Sequence, residues 1–299
     1  FGADGEVDTL ELSLHDAASD VEFILLYSTF TKYNAIARAA KVVNRSGETV
    51  RIEKLSSASV DFPGADFELL HLPGAWGRER AVERRKLSHT RTVIESVRGL
   101  SSHQQNPFFA LAAPQTTEMA GEAYGITLLY SGNFAAELEL DQFNLLRAQI
   151  GINERTFEWV LAPGESFTAP EALLVYSADG LGDMSRTFHN LFHDHLIRSY
   201  WKDRKRPILV NNWEATYFNF NEEKLLAIAK DAADLGIEML VLDDLKPGYD
   251  MAKAANVRFA AAGWSNDIPE IEAFMRQNCD LYFKTVETFG DYLLHGKEA

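Results

Sequence analysis

Residues 206–244 read RPILVNNWEATYFNFNEEKLLAIAKDAADLGIEMLVLDD and set the architecture of the second half of the chain. A first apolar run, residues 208–210, leads into polar and aromatic residues. Apolar residues then recur at helical spacing up to Gly236, which stands where a C-terminal helix cap is usual. A second apolar run, residues 237–242, ends on two acidic residues. Because a crossover helix separates the runs, we predict parallel strands with polar groups at their carboxyl ends, where parallel α/β folds place their chemistry.

The composition narrows the classes of partner. Apolar residues make up 46% of the 299 residues, and no apolar run approaches the roughly 20 residues of a membrane helix. The net charge of −15 argues against nucleic acid and an anionic membrane as partners. The single cysteine, Cys279, excludes an internal disulfide and a thiolate metal cluster. The start at Phe1 rather than Met is typical of a fragment of a longer protein. No signal peptide is recognisable, and on that basis a cytoplasmic location is expected.

Residues 1–180 carry the signals of a β-rich domain. About a dozen short apolar or alternating runs follow one another, separated by turn signals such as Pro63-Gly64 and Pro73-Gly74. We predict that these runs form one large antiparallel sandwich. Residues 184–200 have apolar residues at helical spacing and are predicted to be a helix that links the sandwich to the strand–helix–strand unit.

Three segments of this region combine aromatic and polar residues, namely residues 74–80 (GAWGRER), 98–108 and 130–134. Trp76, in the first segment, has two interpretations. One is a partly buried loop anchor, since tryptophan is highly buried on average. The other is a sugar platform, in which the flat ring packs against the face of a pyranose while polar neighbours hold its hydroxyl groups.

The histidines do not indicate a metal site. His103 is best explained as a hydrogen-bonded turn residue. His189, His193 and His195 lie close together in the predicted linking helix. Only His189 and His193 share a helix face, and no cysteine lies near them. We therefore predict neither a metal site nor a cofactor.

The most specific motifs are Asn211-Asn212-Trp213-Glu214-Ala215-Thr216-Tyr217-Phe218 and Leu242-Asp243-Asp244. Together with the three aromatic and polar segments and residues 163–171, they resemble the α-galactosidases of glycoside hydrolase family 36, in the family's order over residues 1–244. That family joins an N-terminal β-supersandwich to a (β/α)8 barrel. The resemblance implies that Asp243 and Asp244 bind galactose hydroxyls and that Trp213 lines the sugar pocket. It also implies that Trp76 reaches a sugar site, either its own or a neighbouring subunit's.

The two adjacent aspartates suit the role that the resemblance implies. A carboxylate only accepts hydrogen bonds and can take two sugar hydroxyls. Without the resemblance, a strand-end turn or a helix cap would be the better explanation of Asp243 and Asp244. Successive strand residues point to opposite faces, so these two acids are not expected to form the catalytic pair.

The sequence departs from the family pattern after Asp244. Family members continue with Gly-Trp-Phe-Gly, most of the barrel and a Lys-Trp-Asp segment that carries the nucleophile, and a later aspartate is the acid/base. Here residues 245–250 read LKPGYD, and no Lys-Trp-Asp occurs in the sequence. A retaining glycosidase needs two carboxyl groups about 5–5.5 Å apart. We therefore assign no catalytic residue and expect this chain to be inactive by itself.

Residues 245–299 alternate short strand and helix patterns, which indicates a small parallel sheet. Their sequence resembles the C-terminal end of haloacid-dehalogenase-like phosphatases, in which aspartates matching Asp244 and Asp250 hold Mg²⁺. The nucleophile motif of that family, Asp-x-Asp-x-Thr/Val, does not occur here. We predict a junction of two protein pieces near Asp244, with a tail strand at residues 257–262 that extends the sheet of residues 208–210 and 238–242.

The sequence thus predicts a mainly β protein, a large antiparallel β-supersandwich followed by an incomplete (β/α)8 barrel start and a small α/β tail. The expected regions are the sandwich (1–182), a helical linker (183–205), the barrel start (206–244) and the tail (245–299). By resemblance the function is hydrolysis of terminal α-galactosides such as melibiose or raffinose, and the expected assembly is a homo-oligomer. Two alternatives stay open, a non-catalytic carbohydrate-binding or structural remnant and a Mg²⁺-dependent phosphatase fragment.

Overall fold

The chain forms two compact units, Phe1–Leu196 and Ile197–Ala299. The computed structural model describes residues 5–241 except 65, 102, 199 and 218, and in the remainder residues 260–262, 269–279, 281–285, 288 and 291–292. Among these residues, no helix has the length and apolar character needed to cross a membrane.

The first unit is built from antiparallel strands. The strands described in this unit are β1 (Val7–Asp16), β2 (Val21–Phe30), β3 (Ala35–Asn44), β4 (Val50–Ile52), β5 (Ser56–Pro63), β6 (Glu68–Pro73), β7 (Glu83–Lys86), β8 (Arg91–Glu95), β9 (Gln105–Ala112), β10 (Ala123–Leu128), β11 (Phe134–Leu140), β12 (Leu145–Ile152), β13 (Trp159–Leu161), β14 (Ser166–Thr168) and β15 (Ala172–Ser177). One sheet has the order β1-β2-β3-β15-β10-β9-β6-β7, with β14 also paired to β3. A second has the order β5-β12-β11-β8, and β4 pairs with β13. The predicted mainly β, antiparallel fold is confirmed.

A shared apolar core holds the two larger sheets together. Leu69 of β6 and Phe109 of β9 belong to the same buried cluster as Phe134 and Leu138 of β11 and Leu146 of β12. All five side chains are fully buried. Burying a side chain of this size contributes about 1.5–3 kcal/mol relative to leaving it in water. The alternating apolar positions of the sequence therefore become the interior of the sandwich.

The other face of the large sheet is covered by helix α1 (Leu181–Leu191). Its buried residues Met184, Phe188 and Leu191 are spaced so that they share one face of the helix. A π-helical turn, Phe192–Leu196, continues the helix. The helix predicted over residues 184–200 therefore begins earlier and ends earlier than its apolar spacing suggests.

Gly125 in β10 makes room for this helix. A Cβ atom at position 125 would lie 2.5 Å from Cε2 of Phe188 and 2.7 Å from Sδ of Met184. Both of these side chains are buried and have little space to move away.

We expect Gly125→Ala to lower the free energy of unfolding by about 1–3 kcal/mol, the usual effect of overpacking a core. Urea denaturation followed by circular dichroism measures this. Gly47→Ala is the matched control, because nothing lies within 4 Å of a Cβ atom there. Equal midpoints for the two variants would contradict the proposed packing.

The π-helical turn is bonded to the connection between β2 and β3. Asp194 Oδ2 accepts hydrogen bonds from the Tyr33 hydroxyl (2.5 Å) and from Lys32 Nζ (3.0 Å). Asp194 Oδ1 lies 3.0 Å from His193 Nδ1. The hydrogen bonds from His193, Tyr33 and Lys32 hold the pKa of Asp194 well below its ordinary value. His195 is buried beside the rings of Phe30 and Tyr33. These contacts of His193 and His195 therefore hold the turn against the sandwich.

The second unit alternates strands and helices. Its described elements are β16 (Leu209–Asn211), α2 (Trp213–Thr216), α3 (Glu222–Asp234), β17 (Met239–Val241), β18 (Ala260–Ala262), α4 (Pro269–Asn278) and β19 (Leu281–Phe283). β16 and β17 are parallel, as predicted. In the described residues, β18 pairs with β19 in a separate parallel sheet, so the predicted extension of the β16–β17 sheet is wrong. The tail instead packs against the β16–β17 unit. Met275 of α4 lies in one buried cluster with Leu225 and Ala229 of α3 and Leu240 of β17.

Candidate functional site

The Asn211–Tyr217 segment begins where β16 ends. Asn211, the last residue of β16, pairs with Val241 at the end of β17. Helix α3 makes the crossover between these strands. Its N-cap Asn221 accepts a hydrogen bond from the Lys224 amide (3.0 Å), and Gly236 beyond its end has a φ of 80°. The local sequence therefore places Asn211 and the residues that follow it at the carboxyl end of a parallel strand pair, the usual position of functional groups in such folds.

The two asparagines hold the short helix α2 in place. Asn211 Oδ1 accepts a hydrogen bond from the Trp213 amide at 2.7 Å. Asn212 is buried, and its Nδ2 donates to Thr216 Oγ1 (3.0 Å), which in turn donates to the Asn212 carbonyl (3.0 Å). Trp213 is 40% exposed. The asparagines thus fix the backbone from which Trp213 projects.

Tyr217 ends α2 in a strained conformation, with φ 47° and ψ −126°. Residues with side chains seldom adopt a positive φ, and such outliers concentrate at functional sites. The Tyr217 ring lies 5.7 Å from that of Trp213, at an interplanar angle of 71°. The Tyr217 hydroxyl donates to Glu214 Oε2 at 3.2 Å, and this hydrogen bond raises the pKa of Tyr217. This strain could not be predicted from the sequence, because it arises at the end of the helix and not from the residue type.

The acidic pair Asp243 and Asp244 lies outside the described residues. The described part of β17 ends at Val241, two positions before Asp243 in the sequence. Sugar binding by Asp243 and Asp244 stays a proposal.

Trp76, in the first unit, lies at the tip of a tight turn. The Ala75 amide donates to the Arg78 carbonyl at 3.0 Å, and the Arg78 amide donates to the Ala75 carbonyl at 2.9 Å. Trp76 and Gly77 are the two residues between them. Trp76 is 68% exposed, so its interpretation as a partly buried loop anchor is wrong. An indole held out in this way leaves a flat apolar face open to a ligand.

The three segments that combine aromatic and polar residues are linked to one another in the first unit. The Gly74 amide donates to the Gln104 carbonyl at 3.1 Å, which joins the first segment to the second. The Ser101 amide donates to the Ser131 carbonyl at 2.7 Å, which joins the second to the third. His103, between these contacts, is exposed in a turn. Contacts between distant loops leave no local signal in the sequence, so these links could not be predicted from it.

In the part of the chain that the structure describes, no three histidine, cysteine, aspartate or glutamate side chains are arranged to hold a metal ion. In the second unit, Trp213 offers an aromatic face, and Asn211 and Asn212 use their side-chain amides to fix the backbone. In the first unit, Trp76 offers an aromatic face of its own.

Two family descriptions together match most of the chain. Residues 1–162 match the glycosyl hydrolase family 36 N-terminal domain, and residues 166–256 match melibiase. The second match continues beyond the junction predicted near Asp244. The comparisons give no support to a phosphatase piece.

Individual relatives are α-galactosidases. AgaA of Geobacillus stearothermophilus is 53% identical over 239 residues, which are 80% of this chain and 33% of the relative. Mel36A of Lactobacillus acidophilus is 48% identical over 241 residues, 81% of this chain and 33% of the relative. The crystal structure of AgaA aligns with a TM-score of 0.81 at 46% identity, covering 87% of this chain and 40% of that chain. Variants of AgaA have been crystallised with stachyose and with raffinose.

The chain spans about a third of the length of the curated relatives that it matches. Within that span, the sandwich and the strand–helix–strand unit follow each other in the order of the two matches. The chain therefore belongs to glycosyl hydrolase family 36.

Proposed function

We propose that this chain forms the N-terminal sandwich and the first strands of the catalytic barrel of an α-galactosidase that hydrolyses terminal α-galactosides. The observation that carries the proposal is the Asn211–Tyr217 segment, which follows β16 at the carboxyl end of a parallel strand pair and lies inside the melibiase match. The relative AgaA, whose variants bind raffinose and stachyose, supports this substrate class. The chain's own contribution is to bind sugar. Trp213, Asp243 and Asp244 bind the galactose unit, and Trp76 reaches a sugar site, either its own or a neighbouring subunit's.

The proposed chemistry assigns binding to this chain and bond cleavage to residues that it does not contain. Retention needs a nucleophile and an acid/base, each a carboxyl group, and the Lys-Trp-Asp nucleophile segment does not occur in the sequence. Aspartate carboxylates accept hydrogen bonds from sugar hydroxyls, and an aromatic ring packs on the apolar face of the sugar. No cofactor enters this scheme.

Raffinose titration of the purified chain tests the binding role. We expect Trp213→Ala to weaken the affinity about fivefold, since an aromatic contact contributes about 1 kcal/mol. Trp213→Phe should retain most of it. Trp159→Ala is the control, because Trp159 is also partly exposed (48%) but packs on Phe167 in the sandwich. An equal effect of Trp213→Ala and Trp159→Ala, or no raffinose binding by the unchanged chain, would count against the proposal.

The proposed division of the chain is a sandwich (1–182), a linker (183–205), a barrel start (206–244) and a tail (245–299). The end of the first family match at residue 162 supports a sandwich that is complete before the linker begins. Limited proteolysis followed by mass spectrometry would test the boundaries. Cleavage is expected first in residues 197–207, which carry no regular helix or strand where they are described.

A phosphatase-like tail is the second candidate. The parallel pair β18–β19, with α4 between its strands, supports it, since this is the β–α–β order of such folds. In this candidate function, Asp244 and Asp250 would hold Mg²⁺. The melibiase match extends to residue 256 and favours the galactosidase reading of Asp244 instead.

We also propose that the chain assembles as a homo-oligomer. β1 is an edge strand of ten residues, and its Leu10, Leu12 and Leu14 are exposed on one face. Long apolar edges are pairing templates, and identical edges can pair across a two-fold axis. Light scattering after size-exclusion chromatography measures the mass of the assembly. We expect an oligomer for the unchanged chain and dissociation of that oligomer in Leu12→Lys.

The cytoplasmic location stays a prediction, to be checked by cell fractionation.

A further inference from the structure

The turn that carries Trp76 has a defined geometry. Ala75 and Arg78 exchange both backbone hydrogen bonds, so Trp76 and Gly77 are its two central residues. Gly77 has a φ of 74°, whereas Trp76 is not among the residues with positive φ. A negative φ followed by a positive one is the pattern of a type II turn, in which glycine is favoured at the second central position. The order Trp-Gly therefore places the tryptophan, and not the glycine, at the first central position.

Both ends of this loop are fixed to the sandwich. At its start, the Gly74 amide donates to Gln104, and a Cβ atom at Gly74 would lie 2.5 Å from the His103 carbonyl oxygen. At its end, Arg80 Nε donates to Asn106 Oδ1 at 3.2 Å. Asn106 Nδ2 in turn donates to the carbonyl of Leu72 at 3.1 Å, on the strand that leads into the loop. The tip between Ala75 and Arg78 needs a support of its own.

Glu79 supplies that support. Its Oε1 accepts a hydrogen bond from the Gly77 amide at 2.9 Å. This amide is at the centre of the turn, and the Ala75–Arg78 backbone pair does not use it. A hydrogen bond to a carboxylate is stronger than one between neutral groups. Backbone hydrogen bonds, first that of Gly77, lower the pKa of Glu79, so the acceptor is charged at neutral pH.

We infer that Glu79 is a positioning residue for Trp76, holding the turn so that the exposed indole is presented to a sugar in one orientation. The inference rests on the proposed role of Trp76 in sugar binding. A side chain that is ordered before binding loses less conformational freedom in the complex, and this raises affinity without adding a contact. Glu79 itself needs no contact with the sugar.

The experiment records the fluorine NMR spectrum of the full 299-residue chain labelled with 5-fluorotryptophan. Raffinose is the probe ligand. The chain has five tryptophans, and the signal of Trp76 is the one lost in Trp76→Phe. We expect Glu79→Ala to shift or broaden this signal in the free protein and to weaken the raffinose affinity at least threefold. Glu79→Gln should retain the affinity within twofold, because its amide oxygen can still accept from Gly77. Glu48→Ala, a change of another exposed loop carboxylate, should leave both readouts unchanged.

The two readouts separate the positioning role from the proposed sugar contact. If Glu79→Ala leaves the Trp76 signal as it is in the unchanged chain, the positioning role is wrong, whatever the affinity. If the signal changes but raffinose does not perturb Trp76 in the unchanged chain, Glu79 does hold the turn and the proposed sugar contact of Trp76 fails. If both change in Glu79→Ala and Glu79→Gln alike, hydrogen bonding to Gly77 is not the cause, and the inference is overturned.

Discussion

The purified 299-residue chain is expected to release no product from p-nitrophenyl α-galactoside above the uncatalysed background. Retaining glycosidases divide the reaction between a nucleophile and an acid/base. Removing one member of a catalytic group that acts as a unit typically lowers kcat by about four to six orders of magnitude. The chain has no Lys-Trp-Asp segment to supply the nucleophile, so its sugar-binding residues would act without the groups that cleave the bond.

The assay needs a positive control and a check for contaminants. AgaA of Geobacillus stearothermophilus, 53% identical over the shared region, serves as the active enzyme at equal concentration. A mock purification from cells that lack the chain reports contaminating activity. Saturable turnover by the unchanged chain that persists in Asp243→Asn, and that scales with the amount of chain, would show that the active site has been misplaced.

The sandwich could be predicted because its signal is local. In β11, the buried Ala136, Leu138 and Leu140 alternate with Glu137 and Glu139, the pattern of a strand with one face in a core. The parallel pair β16–β17 was equally accessible. A helix between two apolar runs returns the chain to the end of the sheet at which the first strand began, so the second strand runs parallel to the first.

The remaining features depend on contacts between distant residues. Apolar spacing alone predicts that the linking helix continues to residue 200, but the structure has a π-helical turn at Phe192–Leu196, where Asp194 bonds to Tyr33 and Lys32. The tail strand β18 pairs with β19 and not with the β16–β17 sheet. Short apolar runs do not specify a partner, so this pairing could not be predicted from the sequence.

In the candidate site, too, some features have a local sequence signal and others depend on the folded structure. The sequence identified Trp76 as a residue with two interpretations, and residue type could not choose between them. The choice depends on the direction of the turn, which is set by the positive φ of Gly77 and by the hydrogen bond from Gly77 to Glu79. Glu79 lies between Arg78 and Arg80 in the sequence, a pattern typical of a solvated surface residue. Its role depends on the turn, which the sequence alone does not show.

Asp243→Ala is expected to weaken raffinose binding by about tenfold or more, whereas Asp250→Ala is expected to leave it unchanged. Hydrogen bonds to a charged group contribute about 1.5–3 kcal/mol, and 1.4 kcal/mol corresponds to a tenfold change in affinity. Asp243 belongs to the sugar-binding pair only in the galactosidase interpretation. Asp250 would be a metal ligand only in the phosphatase interpretation, and Asp244 has a role in both.

The two interpretations therefore predict opposite patterns for Asp243→Ala, Asp244→Ala and Asp250→Ala in two assays, raffinose binding and Mg²⁺-dependent hydrolysis of p-nitrophenyl phosphate. The galactosidase interpretation requires that Asp243→Ala and Asp244→Ala lose raffinose affinity and that phosphate ester hydrolysis is absent throughout. If hydrolysis is present and is lost in Asp244→Ala and Asp250→Ala but not in Asp243→Ala, the tail is a phosphatase piece. Circular dichroism of each variant separates a lost ligand from a lost fold. Because Asp244 responds in both cases, it is the contrast between Asp243 and Asp250 that decides which chemistry the end of β17 serves.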